Sequence, residues 1–227
     1  MTEPTGDRLV QSLERRFRTV KRRVEVAGRE IVLLHPESAE DLIDEQDFEL
    51  DERLPYWAEI WPSSRVLAAH LIAMDARDRT LLELGCGAGL VATAASLGRF
   101  RVTVSDYYED ALRFARANAW LNRAPQPETM LLDWRALPPP ERAPRFDVIV
   151  ASDVLYEREY GELVADAIGA LLAESGTAYL ADPGRVGRDE FLRSLTECGL
   201  VLRSTAEHRF AEDAVRQTIT IYEIARR

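Results

Sequence analysis

Apolar residues first recur at helical spacing at Leu9, Val10, Leu13 and Phe17, which predicts a short helix with Asp7 placed to cap its start. Alternation over residues 19–26, a turn at Ala27-Gly28 and an apolar run over 30–34 predict a β-hairpin. Ser38-Ala39-Glu40-Asp41 resembles a second helix start and leads into an acidic segment ending near Pro55. Beyond Pro62 the pattern changes to alternating helices and short apolar strands. Helices are predicted over 63–74, 90–97, 109–121, 160–173 and 189–198, and strands over 80–84, 101–105, 129–132, 146–151 and 178–181. Two last strand candidates, 200–207 and 216–224, have no helix between them, which points to an antiparallel edge. Such alternation requires right-handed crossovers and a mostly parallel sheet.

The expected organisation is an N-terminal extension over 1–54, a helix plus hairpin, packed on one domain over 55–227. Pro138, Pro139, Pro140 and Pro144 read as a surface connection, because the strand series resumes directly after them. A 227-residue chain that is 46% hydrophobic is enough for one sizeable core. No apolar run approaches the roughly 20 residues that a membrane span needs, so a soluble, cytoplasmic monomer without a membrane partner is expected.

Two cysteines, Cys86 and Cys198, and three scattered histidines, His35, His70 and His208, support neither a disulfide framework nor a metal site. The formal net charge of −10 opposes nucleic-acid binding and suits a cationic substrate. One basic stretch, Arg15, Arg16, Arg18, Lys21, Arg22 and Arg23, reads as a solvated face rather than a docking site.

The strongest local signal is Leu81-Leu82-Glu83-Leu84-Gly85-Cys86-Gly87-Ala88-Gly89-Leu90, an apolar strand entering a glycine-rich turn and then a helix. Glycines let the chain bend and let a ligand lie on backbone N–H groups at the positive helix end, as a nucleotide-like cofactor requires. Dinucleotide sites favour Gly-x-Gly-x-x-Gly, whereas Leu90 stands where the third glycine would fall. A turn that merely packs helix on strand is the alternative.

About twenty residues on, Asp106 ends a strand where a ribose diol needs a two-oxygen acceptor, or else it caps the following helix. Leu132-Asp133-Trp134 offers a carboxylate and an indole for an adenine, with a core tryptophan as the competing reading. Asp153-Val154-Leu155-Tyr156 follows the fourth strand, where ligands bind in open α/β sheets, although helix capping and a core aromatic would also account for it. Cys86 is read as a loop residue and not a nucleophile. Asn118 and Asn122, four apart on one helix face, need do no more than close the helix end.

The glycine turn resembles motif I of class I methyltransferases. Together with Pro55-Tyr56-Trp57-Ala58-Glu59-Ile60-Trp61-Pro62, Leu132-Asp133-Trp134 and Asp153-Val154-Leu155-Tyr156, it is similar to methyltransferase family 16, the seven-strand protein lysine methyltransferases that carry an Asp-x-x-Tyr motif. This likeness covers about 130 residues, Pro55 to Arg185. It implies a Rossmann-like seven-stranded sheet with helices on both faces and S-adenosylmethionine as cofactor. Trp61 and Trp134 would lie against that cofactor, Gly85 and Gly87 under its methionine portion and Asp106 on its ribose. Glu83, Asp133 and Ala151 complete the implied set, while Asp153 and Tyr156 would face the acceptor. One branch, acting on the β subunit of electron-transfer flavoprotein, shares the Trp-Pro pair and a segment like Asp182-Pro183-Gly184-Arg185; this chain departs from it at Ser63-Ser64, where small glycines are expected.

The implied reaction is an in-line displacement in which a lysine nitrogen, deprotonated from a reference pKa of about 10.4, attacks the methyl carbon. Burial and the sulfonium favour the neutral amine and Asp153 favours the charged one, so Asp153 is expected to orient more than to abstract. Tyr156, Trp57 and Trp61 would add ring faces that attract the cation. The alternatives are an N-methyltransferase for a small amine or heterocycle, an NAD-dependent oxidoreductase and a non-catalytic cofactor-binding module.

Overall fold

The computed structural model describes residues 6–39, 42 and 55–227. Residues 40 and 41 of the predicted helix start and most of the acidic segment after it lie outside the described residues. Seven strands, β3 (Thr80–Leu84), β4 (Arg101–Asp106), β5 (Glu128–Leu131), β6 (Phe146–Ser152), β7 (Leu172–Asp182), β8 (Leu200–Glu212) and β9 (Val215–Arg226), form one sheet in the order β5-β4-β3-β6-β7-β9-β8. Pairing is parallel except at β9, which runs antiparallel to both its neighbours, as the missing helix between the last two strands required.

The central strands are apolar on both faces because both faces are covered. Leu81, Val104, Val148 and Val150 meet the layer built from α2 (Pro62–Ile72), α3 (Leu90–Leu97) and α4 (Glu109–Leu121). Leu82, Leu84, Ile149 and Ala151 meet α5 (Tyr160–Leu171) and α6 (Arg188–Ser194) on the other side. Chain direction across the sheet reverses between β3 and β6, and a crevice opens beyond their carboxyl ends.

Of the N-terminal elements, α1 (Gly6–Arg16) and β2 (Arg29–Pro36) pack on α4 and β1 (Thr19–Val26) on α2, rather than on the sheet edge. Asp7 does not cap α1: it lies in the first turn, and its carboxylate accepts a bond from Trp120 Nε1 at 2.9 Å. Asn118 and Asn122 do far more than close a helix. The Asn122 amide both accepts from Val32 N–H (2.9 Å) and donates to Val32 C=O (2.7 Å), and Asn118 treats Leu34 in the same way (2.7 and 2.8 Å). In an antiparallel ribbon alternate residues turn their polar groups away from the partner strand, so this amide pair stands in for a third strand along β2. Four of the six residues in the basic stretch hold carboxylates, namely Arg16 with Asp110, Arg18 with Glu37, Lys21 with Glu14 and Arg23 with Glu30, as a solvated face would.

Three elements differ from expectation. Helix α5 stops at Leu171 because Arg226 Nη2, from the far strand β9, takes the carbonyls of Gly169 (2.6 Å) and Leu172 (2.9 Å), so β7 begins at once. Helix α6 ends at Ser194, where a turn through Gly199 (φ +70°) returns the chain to β8. The β8–β9 ribbon runs several residues beyond its pairing with β7 and lays Phe210 and Glu212 on Arg65 of α2.

Candidate active site

The crevice is lined by nine of the ten residues expected at the site. Its floor is the glycine loop. Gly87 (φ +50°) slides beneath the 3₁₀ turn Tyr56–Ala58, where a Cβ would come within 2.9 Å of the Trp57 carbonyl oxygen. At Gly89 (φ +79°) a Cβ would sit 2.5 Å from Ala115 Cα, so glycine lets α3 close onto α4. Asn118 Nδ2, besides gripping β2, donates to the Ala88 carbonyl at 2.7 Å and ties the loop to the hairpin. The Cys86 N–H is spent on Ser105 C=O (3.0 Å), and burial, with Asp106 and Glu83 nearby, pushes its thiol well up, which rules out a ready nucleophile.

Carboxylates ring this floor. Glu83 points into the α2–α4 layer at 1% exposure; burial pushes its carboxyl well above the ordinary range, and Oε2 has no partner. Asp106 closes β4 with Oδ2 on Gly87 N–H and Oδ1 on Tyr108 N–H, both at 3.0 Å. Burial lifts its carboxyl to about 6, against the pull of those N–H groups. Asp133 accepts the Arg135 N–H at 2.9 Å. Trp134 meets Tyr160 edge-on at 5.7 Å and lies 3.5 Å from a Cβ placed on Gly85, so it walls the cavity while joining the lower core.

Opposite the loop the cavity becomes aromatic. Tyr156 stacks edge-on between Tyr56 (5.0 Å) and Tyr160 (4.8 Å), and burial holds its phenol far above the usual value. Trp61 Nε1 donates to Tyr56 C=O at 3.1 Å. Asp153 sits at the tip of β6 in a left-handed conformation (φ +60°), its N–H on Ala181 C=O at 3.0 Å. Its side chain is 2% exposed; Oδ1 accepts from Arg185 Nε at 2.6 Å, and Oδ2 is buried without a partner.

Ala151 is the exception among the expected residues. Its side chain enters the apolar layer under the sheet, and Ser152 and Asp153 line the cavity instead. Sequence reasoning missed Tyr160, which looked like part of an apolar helix stripe, and the contacts of Arg185, whose segment was noticed but whose target lies 32 residues away. Tyr56 was quoted in a motif without a role.

The lining fits a cationic nucleoside better than a dinucleotide. Among the described residues the wall carries Glu59, Glu83, Asp106, Asp133 and Asp153 with Arg135 as its one cation, a balance that would repel a pyrophosphate. The orphaned Glu83 oxygen suits the α-ammonium of S-adenosylmethionine, and each Asp106 oxygen keeps a lone pair for a ribose hydroxyl.

Residues 48–197 match a family model described as lysine methyltransferase. The electron transfer flavoprotein beta subunit lysine methyltransferase of Xenopus laevis is 34% identical over 58% of this chain and 53% of its own length. For protein N-lysine methyltransferase METTL21A of Mus musculus the identity is 30%, over 62% of this chain and 66% of that protein. The chain thus spans between half and two thirds of these curated relatives. The fold is shared with N-methyltransferase NodS from Bradyrhizobium japonicum WM9, solved with S-adenosyl-L-homocysteine, at a TM-score of 0.57 and 18% identity over 81% of this chain and 94% of that one.

Proposed function

The chain belongs to the lysine methyltransferase family, and we propose that it transfers a methyl group from S-adenosylmethionine to a lysine ε-amine presented by a protein partner. The observation that carries this reading is the partnerless, buried Asp153 Oδ2, whose residue lines the same cavity as Trp61, Tyr56 and Tyr156. When bound, S-adenosylmethionine supplies an electrophilic methyl group on a positive sulfonium. Glu83 receives its ammonium, Asp106 its ribose, and Asp133 with Trp134 its adenine end.

On the acceptor side the work is positioning. A lysine chain enters past the rings of Tyr56, Tyr156 and Trp61, which exclude water, its ammonium proton having gone to solvent. Asp153 Oδ2 then accepts one N–H and turns the nitrogen lone pair toward the glycine loop. The enzyme acts as a monomer, with the described N-terminal residues 6–39 packed on the catalytic domain over 55–227.

Purified protein incubated with S-adenosylmethionine and a demethylated cell extract should place a mass increment of about 14 Da on lysine of one protein, read by peptide mass spectrometry. Methylation confined to small amines would replace the acceptor in this reading. Thermal stabilisation by NAD and not by S-adenosylhomocysteine would overturn it altogether.

A further inference from the structure

A carboxylate beside an amine favours the ammonium form, which has no lone pair to attack with. An isolated, buried Asp153 would therefore hold a lysine in its unreactive state. The chain itself supplies the counter-charge. Arg185 Nε meets Asp153 Oδ1 at 2.6 Å, and its guanidinium lies 5.1 Å from the centre of the Trp61 ring. Its backbone is equally fixed: Asp182 Oδ2 accepts the N–H groups of Gly184 (2.7 Å) and Arg185 (3.0 Å), and Gly184 turns through φ +97°. The tips of β6 and β7 and Trp61, just before α2, thus converge on a single ion pair.

We infer that Arg185 is a positioning residue that neutralises Asp153, leaving Oδ2 to accept a hydrogen bond from an acceptor amine bound in its uncharged form. This rests on the lysine-acceptor reading above. The pair is not a plug awaiting displacement, because expelling Arg185 would strand a carboxylate whose side chain is 2% exposed. The other charged or titratable groups around it are Asp182 behind Arg185, Tyr156 after β6 with Tyr160 and Glu157 acting on it, and Glu59 and Asp106 in the cavity lining. Arg188 and Tyr222 flank Asp182 from α6 and β9. Burial pushes the Asp182 carboxyl upward, which weakens its rival claim on Arg185.

The test uses the full chain saturated with S-adenosylhomocysteine and n-butylamine as a lysine side-chain probe, titrated by NMR between about pH 7.5 and about pH 9.5. If only the neutral amine binds, apparent affinity in wild type rises about tenfold per pH unit below the amine pKa of about 10.4. In Arg185→Gln the bare carboxylate takes the ammonium, so the rise flattens to less than about threefold overall; Arg185→Lys keeps the wild-type slope. Binding of S-adenosylhomocysteine by calorimetry shows that each variant is folded, and should Arg185→Gln fail there, the slopes of wild type and Arg185→Lys decide. A flat wild-type profile, no binding by wild type, or an unchanged slope in a folded Arg185→Gln overturns the inference. Kinetics separate it from a merely structural role: kcat/KM for a lysine substrate should fall in Arg185→Gln by about tenfold or more at low pH and recover at high pH, whereas damage to the fold lowers it evenly. A wild type that shows the expected amine slope yet methylates no protein would refute the proposed acceptor and leave Arg185's role standing.

Discussion

Asn118→Ala removes a side chain of zero exposure that makes three hydrogen bonds at 2.7–2.8 Å. The Leu34 N–H and C=O and the Ala88 C=O are left facing a small void that has no replacement donor or acceptor. Each buried polar group so stranded costs about 1–3 kcal/mol, and partial relaxation of the hairpin brings the expected loss to about 3–5 kcal/mol. The control is Asn122→Ala, which frees Val32 but touches no part of the glycine loop, and which is expected to cost about 1–2 kcal/mol. Urea unfolding of both variants at one pH gives the two stabilities; calorimetry with S-adenosylhomocysteine gives cofactor affinity. Asn118→Ala should weaken cofactor binding about tenfold or more, because the Ala88 carbonyl loses its tether, while Asn122→Ala leaves binding within about twofold. A loss under about 1 kcal/mol for Asn118→Ala, or equal effects of the two variants on binding, would refute the view that this amide couples the hairpin to the loop.

Asp106 has its carboxyl raised from 3.8 to about 6 by burial, so in the absence of ligand its contribution is fully favourable below 3.8 and is lost as pH rises through about 6. That difference corresponds to about 3 kcal/mol, most of it lost between about pH 4 and about pH 6.5, so urea midpoints should fall over that window; Asp106→Asn should flatten the fall, whereas identical slopes in both proteins would contradict it. Gly87→Ala forces a Cβ to within 2.9 Å of the Trp57 carbonyl at φ +50° and should cut affinity for S-adenosylhomocysteine by at least about tenfold, a result that wild-type-like calorimetry would exclude. Tyr156→Phe keeps the ring contacts with Tyr56 and Tyr160, so binding of S-adenosylhomocysteine should hold within about threefold. Asp153→Asn should lower kcat for lysine methylation about a hundredfold while cofactor affinity is retained; parallel losses of both would assign Asp153 to the cofactor instead.

Local pattern was enough for the α/β alternation, the seven strands and the glycine loop, because side-chain period and turn residues act over a few neighbours. It also marked Asp106, Asp133, Trp134, Asp153 and Tyr156 as candidates, since strand tips in such a sheet share one edge, whereas Glu83 came only from the family resemblance. Ala151 misled because one residue along a strand exchanges the cavity wall for the apolar layer. What the chain folds into decided the rest: Arg226 ending α5 from 54 residues away, Asn118 serving β2 and the glycine loop together, and Arg185 closing on Asp153. These are long, flexible or doubly bonding side chains whose partners are distant in sequence. Their roles follow from the three-dimensional meeting of orphaned backbone groups and buried charges, and no local periodicity carries that information.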